Sequence, residues 1–443
     1  MAASPDESHP DHVVRVGNVS GVPGRVSRAA ALYGANASGK SNLVKAMYFA
    51  RRLIVQGTRS NQRIAAQPFR LGNGEARPSR FQFQIIRDDV LYEYGFVVDN
   101  HRVHQEWLFA TEVKEGATEN LLFERETDER DKVTAEFGSG MDTEGERGLR
   151  LRFVTEGTRP NQLLLTECGE RNVSEVETIT KWFNDGLTIL SAEPVADEIS
   201  RSLVSSDERS NLLLDLLGSF GTGIMDITQV ETQISIEQLV QDGYVSNEKI
   251  SDLEDTITGL TKDRFLRLTG SNGKSLSISL NDAGSLCAYE LYFARKNAEG
   301  KNITFTIKDE SDGTRRFVYL YPALWYLRER SKTFVIDELD RRLHSLLTRR
   351  FIELCLSGSA VDSQLIFTTH DTNLIDLDLL RADEIWFAEK NQNGATHLSS
   401  LSAFRLQPRW NLEKGYLNGR FGAIPFTNEA AARLRMVTDG DLK

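Results

Sequence analysis

Gly34-Ala35-Asn36-Ala37-Ser38-Gly39-Lys40-Ser41 follows an apolar pair, Leu32-Tyr33, and has the spacing GxxxxGK[ST]. Glycine lets the backbone turn tightly, so that its N–H groups face inward on phosphate oxygens. The helix expected after the loop adds the positive end of its dipole. Lys40 is expected to reach the β- and γ-phosphates of a nucleotide, and the Ser41 hydroxyl to ligate Mg2+. Asn42, next in the chain, is grouped with these cofactor-binding residues.

A phosphate loop alone does not specify hydrolysis. The stretch "KTFVIDELD" (332–340) reads as a buried strand, Thr333 to Ile336, with Asp337 and Glu338 at its C-terminal end. Ligands gather at such strand ends in open α/β sheets. Asp337 suits Mg2+, and Glu338 suits a carboxylate that orients the attacking water or accepts its proton. A third stretch, "QLIFTTHDTNLID" (364–376), is another apolar strand with His370 at its end, placed to hydrogen-bond a γ-phosphate. A fourth, "SDGTRRFVYLYPALWYL" (311–327), opens with helix-capping residue types. It is a second anion-binding helix start with no phosphate of its own. Ser311, Gly313 and Thr314 are therefore expected to cap the γ-phosphate held by another protomer.

These residues need elements to hold them. Residues 25–56 read as a short strand, the loop, and a helix whose apolar face is Leu43, Met47, Ala50 and Ile54. "FQFQII" and "VLYEYGFVV", separated by "RDD", give a hairpin signal, and "VHQEWLFA" a third strand. The expected organisation is a poorly ordered segment 1–24 and a first ATPase half with a β subdomain, 25–125. A mobile loop, 126–149, and a helical insertion, 150–270, follow. A second half, 271–426, carries the signature, Walker B and histidine motifs, and a tail, 427–443, ends the chain. The P-loop strand lacks partners nearby, so first and last parts are expected to share one sheet.

At 443 residues the chain is too long for a single core. No apolar run approaches the ~18 residues of a membrane span, and the polar start "MAASPDESHPDH" is no secretory signal. Cys168, Cys287 and Cys355 are scattered and form no metal-type pattern, which fits a reducing cytoplasm. A net charge of −11 argues against a non-specific coat on nucleic acid. The basic stretches at 315–317, 328–332 and 341–350 read as solvated helix faces.

In this order the four motifs resemble the ATP-binding cassette heads of the RecF/SMC/OLD branch. "LYGANASGKSNLVKAM", "SDGTRR", "VIDELDRRLHS", "LIFTTHDTNLID", "DEIWFAEK" and "YLNGRFGAIPF" resemble, more narrowly, the AAA-type ATPases of the RloA/AbiL abortive-infection family. The likeness covers roughly residues 30–426. It implies an α/β fold of the ABC type, a P-loop NTPase head joining a mixed sheet to an antiparallel β part, with a helical insertion. It implies ATP and Mg2+ as cofactors, ATP hydrolysis, and a head-to-head homodimer or higher homo-oligomer. It also implies a place in bacterial anti-phage defence beside a separate effector, often a nuclease. Under the resemblance Gly39, Lys40 and Ser41 hold phosphate and Mg2+, and Asp337 supports the metal. Glu338 is the catalytic carboxylate, and Ser311 and Gly313 form the signature. Asp340 sits where a D-loop meets the partner, and His370 is the switch histidine.

The chain departs from the pattern in places. "VVRVGNVSGVPG" does not match the family's opening strand hairpin, which is expected to be shortened or replaced. Leu343-His344-Ser345 stands where "LHP" is usual, and either Gln67 or Gln82 could be the Q-loop glutamine. The alternative function is a DNA-repair or DNA-maintenance ATPase whose dimeric heads clamp DNA. Intrinsic nuclease activity is disfavoured, since no "ExxxD…DxD" cluster follows His370.

Overall fold

The computed structural model describes residues 1–17, 24–71, 77–192, 207–258, 266–270, 275–329, 331–358, 362–406 and 411–422. The expected tail 427–443 lies outside these residues. The chain divides into two compact units. Met1–Leu190, Arg330–Leu339 and Leu356–Lys443 make the first, and Ser191–Glu329 with Asp340–Cys355 the second.

The first unit starts with β1 (Val13–Arg15) and β2 (Arg25–Ser27), an antiparallel pair. The P-loop strand β3 (Ala29–Tyr33) and the helix α1 (Lys40–Gln56) follow. An antiparallel meander comes next: β4 (Ser79–Arg87), β5 (Val90–Val98), β6 (Val103–Glu112), β7 (Asn120–Thr127) and β8 (Val133–Phe137). The helices α2 (Gly145–Gly157), α3 (Leu164–Glu170) and α4 (Glu177–Lys181) lead through a π-helical turn, Trp182–Gly186, into β9 (Leu187–Leu190).

The second unit holds α5 (Asp207–Ser219), β10 (Asp226–Gln233), α6 (Ile236–Gln241) and α7 (Ile250–Thr258). It continues with β11 (Leu266–Thr269), β12 (Ser275–Leu280), β13 (Leu286–Lys296), β14 (Asn302–Thr306) and α8 (Asp312–Glu329). The first unit resumes at β15 (Thr333–Ile336), and α9 (Ser345–Leu356) falls almost wholly in the second. β16 (Gln364–Thr368), β17 (Ile385–Lys390), β18 (Thr396–Ser400) and α10 (Leu412–Leu417) complete the first.

The core sheet of the first unit runs β18-β17-β3-β16-β15-β9. β17, β3, β16, β15 and β9 are parallel, and β18 returns antiparallel on the edge. β3 and β15 are buried throughout, as parallel strands covered on both faces must be. The first and last parts of the chain therefore share one sheet, joined to a separate antiparallel meander. This is the α/β arrangement that the motifs imply, a mixed sheet carrying the P-loop strand with an antiparallel β part.

Glu106 of β6 ties the meander to α3. It is buried and accepts from the Leu164 and Leu165 amides at 2.6 and 2.9 Å and from the Tyr94 hydroxyl at 3.0 Å. It thus caps a helix start from another element. Burial pushes its carboxyl above the usual range, against the pull of Arg125 and the two amides.

Several details differ from the expectation. Residues 1–17 are built into the unit rather than poorly ordered. The buried Arg381 guanidinium donates to the carbonyls of Ser4, Asp6 and Ser8 at 3.1, 2.9 and 2.5 Å, and His12 Nδ1 lies 2.9 Å from Glu384. The short antiparallel pair β1–β2 precedes the P-loop, in keeping with a shortened opening. The segment 126–149 contains β8, and 150–270 contains β9, β10 and β11 besides its helices. On α1 the expected Ala50 and Ile54 are buried and Met47 packs on the core, and Val44 and Leu53 are buried besides, since the helix also packs on α3 and the π turn.

Candidate functional site

The sheet order places the C-terminal ends of β3, β16 and β15 side by side. From β3 the chain enters the loop Gly34–Gly39. Ala37 at φ 63° and Gly39 at φ 109° adopt left-handed backbone. For Ala37 this costs about 1–2 kcal/mol. Gly39 has no alternative: a Cβ there would lie 2.0 Å from Thr396 Oγ1. Thr396 donates to the Ser38 carbonyl at 2.8 Å, so the edge strand β18 clamps the loop.

Gly39 caps α1 without a side-chain hydrogen bond, and no acidic residue stands in the first turn. Buried Lys40 lays its ammonium on the carbonyls of Gly34 and Ala35, at 2.6 and 3.2 Å. The Ser38 hydroxyl is buried and has no hydrogen-bond partner in the described structure. An uncapped helix start, a folded-back ammonium and an orphaned hydroxyl together suit a triphosphate. Ala35 is half-buried and Asn36 and Ala37 are exposed at the loop tip, with Asn42 exposed one turn into α1.

Ser41 and Asp337 meet across the sheet. Ser41 Oγ donates to Asp337 Oδ1 at 3.2 Å, and Thr368 Oγ1 donates to the same oxygen at 2.6 Å. A hydroxyl and a carboxylate this close are hard oxygen donors of the kind Mg2+ takes beside water and phosphate. Glu338 is half-buried, with φ 48°, and its amide donates to Thr368 Oγ1 at 2.7 Å. His370 lies exposed two residues beyond Thr368, followed by a turn capped by Asp371. No group of three or more His, Cys, Asp or Glu able to hold a metal occurs among the described residues.

Ser311, Gly313 and Thr314 lie in the second unit. Ser311 is exposed and caps α8, accepting from the Thr314 amide at 3.1 Å, with its hydroxyl 2.9 Å from that of Thr314. A Cβ on Gly313 would meet the Arg342 carbonyl at 3.1 Å, and Arg342 Nε stands 3.5 Å from Asp312 Oδ2. The start of α8 thus packs on the segment that follows Asp340. Lys40, Ser41, Asp337, Glu338 and His370 all belong to the first unit.

The family model described as "AAA domain, putative AbiEii toxin, Type IV TA system" matches residues 29–376, well over half the chain. The chain belongs to this AAA family. The resemblance to AAA-type ATPases of abortive infection is borne out at that level. The match to this AAA family runs from the first residue of β3 to Asp376, past His370, and so takes in every residue named so far in this subsection except Thr396. Solved structures similar to it include an SMC head bound to the C-winged helix domain of ScpA, 15% identical, covering 85% of this chain and 91% of that one at TM-score 0.33. The SMC head domain from Thermotoga maritima is 12% identical, covering 88% and 96% at TM-score 0.28. At such scores the likeness carries no argument about this chain. Among curated proteins no sequence matches.

Some site residues of this AAA domain left no clear mark in the sequence. Thr368 is the hub of the Walker B corner, and only its neighbour His370 drew notice. Tyr416 of α10 packs on Tyr33 and Phe387, with ring centroids 6.2 and 5.5 Å away, and its hydroxyl bonds the Gly34 amide. Burial raises its pKa, and that amide bond opposes the rise. Glu413 accepts from Thr372 at 2.9 Å, so α10 touches both the P-loop and the histidine loop. Of the Q-loop candidates, Gln82 is bonded to Glu93 and Arg80 on the meander, and Gln67 lies exposed between α1 and β4. Arginines of the basic stretches pair with carboxylates: Arg315 with Asp312, and Arg349 and Arg350 with Glu353. No helix among the described residues is long and apolar enough to cross a membrane.

Proposed function

We propose that this chain is a Mg2+-dependent ATPase whose nucleotide pocket is completed by a second copy of itself. We further propose that its open and closed forms regulate a separate effector in bacterial anti-phage defence. The convergence of Ser41 and Thr368 on one Asp337 carboxylate oxygen, beside the P-loop, carries the ATPase reading.

The loop amides and Lys40 bind the phosphates, Lys40 exchanging its carbonyl partners for phosphate oxygens. Ser41 and Asp337 hold Mg2+. The metal, when bound, offsets phosphate charge and fixes the triphosphate. Glu338 orients the attacking water and takes its proton, and His370 hydrogen-bonds the γ-phosphate. Ser311 stands exposed at the start of α8, with Gly313 half-buried and Thr314 buried behind it, in the unit that lacks the P-loop, which favours its service to a partner's phosphate. Each subunit then offers both surfaces, and the interface is isologous. Nucleotide closes it, hydrolysis opens it, and the difference in contacts is what an effector reads.

The test is Glu338→Gln. It removes the base and keeps the pocket, so hydrolysis should fall by about 10²–10⁴-fold while ATP holds the protein as a dimer on a sizing column. A variant that stays monomeric with ATP and Mg2+ refutes the composite site.

A further inference from the structure

Thr368 is the last residue of β16 and is buried. Its position follows from register. β15 and β16 are parallel with Ile336 opposite Phe367, so the next residues, Asp337 and Thr368, also face each other. On its other side Thr368 pairs with Leu32, two residues before the phosphate loop. One residue therefore joins the P-loop strand to the Walker B corner.

Its hydroxyl is bonded on both sides. It donates to Asp337 Oδ1 at 2.6 Å and accepts from the Glu338 amide at 2.7 Å, while its carbonyl accepts from the Leu339 amide at 2.9 Å. The residue between those amides, Glu338, is left-handed at φ 48°. A non-glycine residue keeps that conformation only where its surroundings over-determine it. Valine is the same shape as threonine but can do neither job.

We propose that the Thr368 hydroxyl is a positioning group that fixes the Asp337 carboxylate and the left-handed turn carrying Glu338 as one piece. It touches no reacting atom. It sets the metal-side oxygen and the base in register with each other and, through Leu32, with the P-loop. The proposal rests on the ATPase reading above.

Thr368→Val and Thr368→Ser in the full chain test it. Two readings are needed: the Mg2+ concentration that half-saturates binding of a fluorescent ATP analogue, and the single-turnover hydrolysis rate. Thr368→Val should raise the Mg2+ half-saturation by about tenfold, as loss of a metal ligand's hydrogen-bond partner does. Its hydrolysis should fall by about tenfold to a hundredfold, because a buried amide loses its acceptor. Thr368→Ser restores the hydroxyl and should recover both.

Val and wild type alike in both readings, or Ser no better than Val, overturns the proposal. If the valine variant fails to fold, Ser against wild type decides. Recovery to within about twofold supports the hydroxyl, and a tenfold loss in a folded Ser variant contradicts it. A wild type that binds the analogue but does not turn over fails the ATPase reading, and the Mg2+ titration still judges Thr368. A wild type that binds no analogue removes both.

Discussion

In the unit that carries the P-loop, Lys40, Asp337 and Thr368 are buried and hydrogen-bonded across adjacent elements. In the other unit Ser311 and Asp312 stand exposed at the start of α8. Both regions bring polar groups to a helix N-terminus. The first builds a corner from β3, β15, β16 and the edge strand β18, with left-handed backbone at Ala37, Gly39 and Glu338. The second is one capped helix leaning on Arg342. Phosphate chemistry needs fixed groups on one side and a removable lid on the other. A catalytic corner belongs on rigid strands, and a cap that comes and goes belongs on a surface.

That contrast orders the expected effects. Lys40→Ala should be the most severe, since it removes the buried ammonium. Binding of a fluorescent ATP analogue should weaken by about a hundredfold, the size expected when a desolvated charge partner is lost. An affinity within a few-fold of wild type would place the phosphates elsewhere.

Ser311→Arg should leave the analogue's affinity for dilute, monomeric protein unchanged and lower steady-state turnover by about ten- to a hundredfold. Losing the cap costs the fold only about 1 kcal/mol, which a thermal melt will show. Unchanged turnover would erase the difference between the two regions.

Tyr416→Phe should be mildest. One hydrogen bond to the Gly34 amide is lost while the aromatic packing stays, so affinity for the analogue should drop by about threefold. A much larger loss would make α10 part of the pocket rather than its backing.

The sequence made the phosphate loop, Asp337, Glu338 and His370 legible because their chemistry is compressed into short contiguous stretches. What escaped was set by distant partners. Thr368 matters only because β16 pairs with β15 in one register. Residues 1–17 are rich in Pro, Asp and Ser and look disordered locally. They are nonetheless held by Arg381 and Glu384, roughly 370 residues later. On α1 the expected Ala50 and Ile54 are buried and Met47 packs on the core, while contacts with α3 and the π turn add Val44 and Leu53 to the buried face. β8 alternates Val133, Ala135 and Phe137 with polar residues, but it is only five residues long and follows the charged run "TDERDK".

The most direct measurement mixes two impaired proteins, Lys40→Ala and Ser311→Arg, and follows ATP turnover above the sum of the two alone. In a mixed dimer the P-loop of the Ser311→Arg subunit faces the intact cap of the Lys40→Ala subunit. One whole pocket is rebuilt there, and turnover should recover to about a quarter of wild type at equal amounts. A mixture no more active than its parts, with mixed dimers verified by tagged pull-down, would contradict a pocket shared between two copies.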